Sequence, residues 1–363
     1  MRPMTVEPIA ALFAILVFLA AMTAPSEAEP LPEVKAVDAQ IARGVITPPD
    51  PAKENGGIEE RIQALIPDAD RNCLHIADQA PETKDHIRTR AQSSLEAAIQ
   101  QIRQSETGAW LVQVAATRKV TICLDHATAL EAHYRSHLRL LGLSARLNPA
   151  GRVVFLAHEL AHVPQHPHFS NNRRFAPEDM LLLQRIREAA AEAVATRVLW
   201  QLRQQGISGP WQEKLSTAYH DIAETFEATM AEGQGVAHEL WATRSAFHHW
   251  FDADWRLEIY DDLMLKTLAR IAKDPIGLVP TSRYLSDQYL RQIANYASQG
   301  FLIGGDGEAL IRDFRAEALP AGGQARLDNI LTKVDDTPAV VPSSLDGQTL
   351  SAVSPPSAVA DRN

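Results

Sequence analysis

The sequence predicts a mostly helical α+β protein with one small sheet. Apolar residues recur at helical spacing over most of the chain from Ile58 to Ala297. Only two short β-prone runs stand among them, Trp110–Val114 and Lys119–Leu124, separated by AATR and read as neighbouring strands. Hydrophobic residues at 45% and charged residues at 22% exclude disorder, collagen and a multi-span membrane protein. A chain of 363 residues is long enough to bury a substantial core.

The N-terminus carries Arg2, the unbroken apolar run Ile9–Met22, and then small residues at Ser26 and Ala28. A basic start followed by such a run is the pattern of a secretory signal, so residues 1–28 are expected to be cleaved after Ala28. Fourteen residues make about 21 Å of helix, short of the roughly 30 Å hydrocarbon core. The expected destination is the periplasm or the exterior, with no stable membrane span after cleavage. An oxidising compartment then favours joining Cys73 to Cys123, the only two cysteines, although two separate buried thiols are the alternative.

Residues 29–57 are Pro-rich and read as an extended lead-in. Residues 58–332 form the expected domain. Ile58–Ile66 and His86–Gln104 have helical periodicity. Asn148-Pro149 places an N-cap before a proline at the first helical position, starting a helix that runs to about Val163. Further helices fit Pro177–Gln204, Trp211–Glu232, Val236–Phe251, Trp255–Ala272 and Ser286–Ala297. Residues 333–363 have little to bury and read as a disordered tail. Lys+Arg 35 against Asp+Glu 45 gives a net charge of −10, which argues against a nucleic-acid partner.

The helix capped by Asn148 contains His158-Glu159-Leu160-Ala161-His162. Residues four apart share one helical face, so both imidazoles can reach one Zn²⁺. Glu159 stands about 100° round the helix from His158, beside the ion, where it can act as general base toward an attacking water. The helix is apolar nearly all round and should be buried. Buried imidazoles and a carboxylate need partners, and one metal ion satisfies them together.

A third protein ligand is required, and three residues compete for the role. Glu188 and Glu192 lie four apart in an alanine-rich stripe, where a carboxylate is costly unless something positive meets it. Glu188 is assigned to the zinc, and Glu192 to accepting the free N–H of a ligand histidine. His168 lies ten residues beyond His158, the third-ligand spacing of the metzincins, but Gln165 replaces the glycine of that pattern.

An HExxH pattern followed, 26 residues after its second histidine, by a Glu-xxx-acid helix resembles the gluzincin branch of zinc metallopeptidases. More narrowly, HELAHVPQ, EDMLLLQRIREAAAEAVATRVLWQL and AFHHWFDADWRLEIYDDL resemble an uncharacterised bacterial family of metallopeptidases, over roughly residues 120–265. The chain departs from thermolysin-like members in having Arg187, not asparagine, before Glu188, and Glu192 where an aspartate is usual. The resemblance implies a zincin-like fold, with a small sheet packed on the HExxH helix, one Zn²⁺ and a peptide or protein substrate.

Peptide hydrolysis also needs a donor to the tetrahedral oxyanion, for which His248, His249 and Tyr260 are candidates. Lys119–Leu124 is the expected edge strand for an extended peptide. Trp250, Phe251 and Trp255 read as core aromatics. The alternative function is a catalytically silent zinc-binding or partner-binding envelope protein on the same fold.

Overall fold

The computed structural model describes residues 51–78, 89–128, 131–165, 176–272, 319 and 321–335. The expected signal segment with Ala28, most of the lead-in, His168, the predicted helix Ser286–Ala297 and the tail beyond residue 335 lie outside the described residues.

Helix α1 (Pro51–Leu65) already begins inside the stretch read as an extended lead-in. A short α2 (Ala69–Asn72) leads into strand β1 (Cys73–His75). Helix α3 (Arg90–Arg103) is started by a capping box, in which Thr89 accepts from the Gln92 N–H and the Gln92 side chain accepts from the Thr89 N–H. Helix α4 (Glu106–Thr117) starts at Ser105, whose hydroxyl accepts from the Gly108 N–H at 2.9 Å. The expected strand Trp110–Val114 is therefore helical. Gly108, Leu111, Val112 and Ala115 are buried at three- and four-residue spacing, a period that the five-residue apolar run was too short to reveal.

The chain reverses at Lys119, with φ of 54°, and enters strand β2 (Thr121–Asp125). Strands β3 (Ala132–Arg135) and β4 (Leu140–Ser144) complete a mixed sheet of order β1-β2-β4-β3. β2 pairs antiparallel with β1 and parallel with β4, so it is interior and cannot be the edge that receives a peptide. Among the described strands the edges are β1 and β3. Cys73, Cys123, Gly142 and His133 form one rung across all four strands. Cys73 and Cys123 are joined as a disulfide, and Gly142 leaves room for the His133 ring, which any Cβ there would strike.

Helix α5 (Pro149–Gln165) opens as its sequence predicts, with the Gly151 N–H donating to Asn148 Oδ1 at 2.7 Å. It packs on the sheet on one side and on the 28-residue α6 (Pro177–Gln204) on the other. Leu156, Ala157, Leu160, Ala161 and Val163 are completely buried. Across from them, Ala189, Ala190, Ala191 and Ala193 let the α6 backbone approach closely. Pro164 lies in the last turn of α5, and Arg118 donates from its guanidinium to the Val163 carbonyl there.

The expected helix Trp211–Glu232 is two helices, α7 (Gly209–Leu215) and α8 (His220–Ala231). Thr217 breaks it: its hydroxyl donates to the Lys214 carbonyl at 2.8 Å and accepts from the Tyr219 N–H at 3.2 Å. Helices α9 (Val236–His249) and α10 (Asp254–Ile271) follow, with Trp250 and Phe251 buried between them and Trp255 half-buried. Helix α11 (Ala321–Asp335) sets Leu327 and Ile330 against Met264, Leu265 and Leu268 of α10.

The disulfide closes a loop of sequence separation 50. Thiol titration of the denatured, unreduced protein is expected to find no free cysteine. Replacing both cysteines by alanine is expected to lower unfolding free energy by about 4 kcal/mol in a urea titration.

Candidate metal centre

His158 and His162 project from α5 toward Glu188 on α6. His158 Nε2 and His162 Nε2 are 3.2 Å apart, and Glu188 Oε2 lies 3.6 Å from the first and 3.5 Å from the second. Three ligands of a tetrahedral ion with bonds of 2.0–2.1 Å stand about 3.3 Å apart. Among the described residues this trio is the group of three or more metal-ligating side chains whose donor atoms converge. Glu188 and His162 are buried, and the His158 side chain keeps 18% of its surface exposed toward the cavity beside the trio.

Hydrogen bonding behind the trio fixes which atoms face inward. Gln165 Nε2 donates to the Arg187 carbonyl at 3.0 Å, so Gln165 Oε1 is the atom presented to His162 Nδ1, 2.8 Å away. An acceptor there puts the proton on Nδ1 and leaves Nε2 with a lone pair. Glu192 Oε2 sits 2.9 Å from His158 Nδ1 and orders that ring in the same way. Gln184 Nε2 donates to Glu188 Oε1 at 2.8 Å, leaving Oε2 for the imidazoles. Two lone pairs and a carboxylate oxygen thus meet in the protein interior, an arrangement that fits a cation and little else.

The electrostatics agree. Burial alone pushes the Glu188 carboxyl toward protonation, but the imidazoles of His162 and His158 outweigh it and hold the group well below the usual carboxylate range. Glu159 is buried beside the trio, and burial raises its pKa against the pull of the same two imidazoles.

A cavity of about 340 Å³ opens on this group, lined by His158, Glu159, Glu192, Lys214, Tyr219 and Tyr260, with Val154, Ala195 and Leu199 on its apolar side. The Tyr219 and Tyr260 hydroxyls are 3.0 Å apart, and burial pushes the Tyr219 phenol up to about 12 and that of Tyr260 well above its usual value. Tyr260 is carried by α10, which a buried bidentate pair anchors to α6: Arg185 donates to Asp261 at 2.7 and 2.6 Å. The other oxyanion candidates are elsewhere. His249 is 3.2 Å from Asp221 and 3.1 Å from Asp252, and His248 stacks beside Phe247 next to Arg244; neither lines the cavity.

Sequence reasoning missed Gln165, Gln184, Lys214 and Tyr219. Gln165 entered it only as the residue that breaks the metzincin pattern. Its position three residues after His162, on the same helical face, was the available signal.

The chain matches the model of the family described as "Putative metallopeptidase family (DUF6782)" over residues 67–299, more than half of its length, and it belongs to that family. Comparison with curated proteins and with solved structures gives no match. A metallopeptidase family implies a metal ion, and the His158, His162 and Glu188 side chains fit one. No described helix is long and apolar enough to cross a membrane.

Gln165→Leu removes the acceptor behind His162. Metal affinity, measured by competition with a chromophoric chelator, is expected to fall by about 10- to 100-fold; unchanged affinity would remove that role from Gln165.

Proposed function

We propose that this protein is a zinc-dependent peptidase of gluzincin type with a zincin-like arrangement of sheet and helix. One Zn²⁺ would be held by His158, His162 and Glu188. The observation that carries this reading is the triangle of inward-facing donors, each fixed from behind, beside a buried carboxylate in an open cavity. When bound by His158, His162 and Glu188, the ion would supply Lewis acidity toward the scissile carbonyl and the attacking water.

The side chains account for the remaining steps. Glu159 takes a proton from the attacking water as its oxygen bonds to the carbonyl carbon. As the C–N bond breaks, Glu159 returns that proton to the leaving nitrogen. Glu192 keeps His158 in the tautomer that leaves Nε2 free, and the phenol pair Tyr219–Tyr260 offers a hydroxyl to the oxyanion. Strand β3, at the edge of the described sheet, packs against α5 and follows directly on Glu131 at the cavity wall, so an extended substrate would lie alongside it.

An envelope location is supported by the expected signal segment, residues 1–28, and by the disulfide, which suits an oxidising compartment. The domain would extend over residues 58–332, preceded by the lead-in and followed by the tail. A silent zinc-binding or partner-binding protein would share the metal and lack turnover.

Elemental analysis of the purified protein is expected to find one zinc per chain, and a peptide library is expected to be cleaved. Glu159→Gln should retain the zinc and lose at least 10²-fold in kcat/KM; zinc retained with no cleavage by the unaltered protein would select the silent alternative. Glu188→Ala should lose the ion, whereas His168→Ala should keep it. The opposite result would transfer the third ligand to His168.

A further inference from the structure

Lys214 is a lysine with 3% of its surface exposed, facing the same cavity as the metal trio. Burying an ammonium group is expensive, and burial pushes its pKa down to about 7. Its Nζ touches Glu192 Oε1, while the other oxygen of that carboxylate, Oε2, meets His158 Nδ1 at 2.9 Å. The ammonium also lies 5.1 Å from the centre of the Tyr219 ring. Nearby Asp221 and Arg256 act on Lys214 in opposite senses and are paired with each other at 2.7 Å. The carboxylate Lys214 touches is that of Glu192.

The surroundings give the contact a purpose. Glu159, Glu188 and Glu192 gather three carboxyl groups around one buried centre. A divalent ion would meet Glu188 and the imidazoles, and Lys214 is the basic side chain in contact with Glu192. Arg187 also acts on Glu159, but it is half-buried and hydrogen-bonded to Gln184 at 3.1 Å.

We propose that Lys214 is a positioning residue of the metal centre: its ammonium group, in contact with Glu192 Oε1, holds that carboxylate with Oε2 turned to the His158 Nδ1–H, which leaves His158 Nε2 as a lone-pair donor. Without that contact, Glu192 is a buried carboxylate lacking its cation and turns away toward other partners. His158 then loses its acceptor, and its tautomer is no longer fixed. The inference rests on the metal-centre reading above and adds a residue that acts through another.

The test is zinc affinity, measured by chelator competition on the full chain, with the melting temperature of the zinc-stripped protein recorded beside it. Lys214→Met is expected to weaken zinc binding by about 10- to 100-fold. Lys214→Gln retains a donor toward Glu192 without the charge, should weaken binding similarly, and serves if the methionine variant does not fold. Combining either with Glu192→Gln should cost no more than Glu192→Gln alone, because the lysine acts through that carboxylate. A lower melting temperature with unchanged zinc affinity would make Lys214 a tether between helices and overturn the proposal. An additive loss in the double variant would overturn the route through Glu192. Failure of the unaltered protein to bind zinc would overturn the metal-centre reading, and this inference with it.

Discussion

Three electron-rich atoms, two imidazole nitrogens and a carboxylate oxygen, face one another in the interior of this protein within 3.6 Å. In a low-dielectric surrounding they repel unless something positive lies among them. Each is prevented from turning away. Gln165 holds the ring of His162, Glu192 that of His158, and Gln184 the carboxylate of Glu188. The rest of the site is arranged around this enforced convergence, which a cation would satisfy electrostatically.

The architecture serves that convergence by packing two buried helices side by side. Alanines on α6 meet leucine, alanine and valine on α5, all completely buried. Short side chains at the seam let the longer polar ones span from helix to helix. The cavity's far wall is brought in by other means. Guanidinium–carboxylate pairs, Arg185 with the buried Asp261 and Arg256 with the half-buried Asp221, anchor the elements that deliver Tyr260 and Tyr219. Such pairs recover little net stability against their desolvation, but breaking one partner leaves a bare charge, so they fix geometry strongly.

The same economy appears at the break between α7 and α8. A continuous helix over Trp211–Glu232 would keep its internal backbone bonds unbroken. Thr217 interrupts it with its own hydroxyl, and the resulting turn sets Lys214 and Tyr219 on the cavity wall. The interruption gives up regular backbone bonding and places two polar side chains on the cavity wall.

What the sequence by itself determined was local. The cap at Asn148, the four-residue spacing of His158 and His162, and the four-residue spacing of Glu188 and Glu192 are read within one or two helical turns, and the span of α6 from its opening proline and repeating apolar pattern. Only the tertiary structure decided the rest. Trp110–Val114 became part of a helix because the core takes up Gly108, Leu111, Val112 and Ala115 at helical spacing, and the expected edge strand became interior because β1 and β4 flank it on both sides. Gln184, Lys214 and Tyr219 carry no motif, since a lone polar residue in a helical sequence looks the same on a solvated face as beside a buried carboxylate. Their roles come from residues brought into contact across the fold, and a hydrogen bond or charge pair of a few ångströms leaves no periodic trace in the chain.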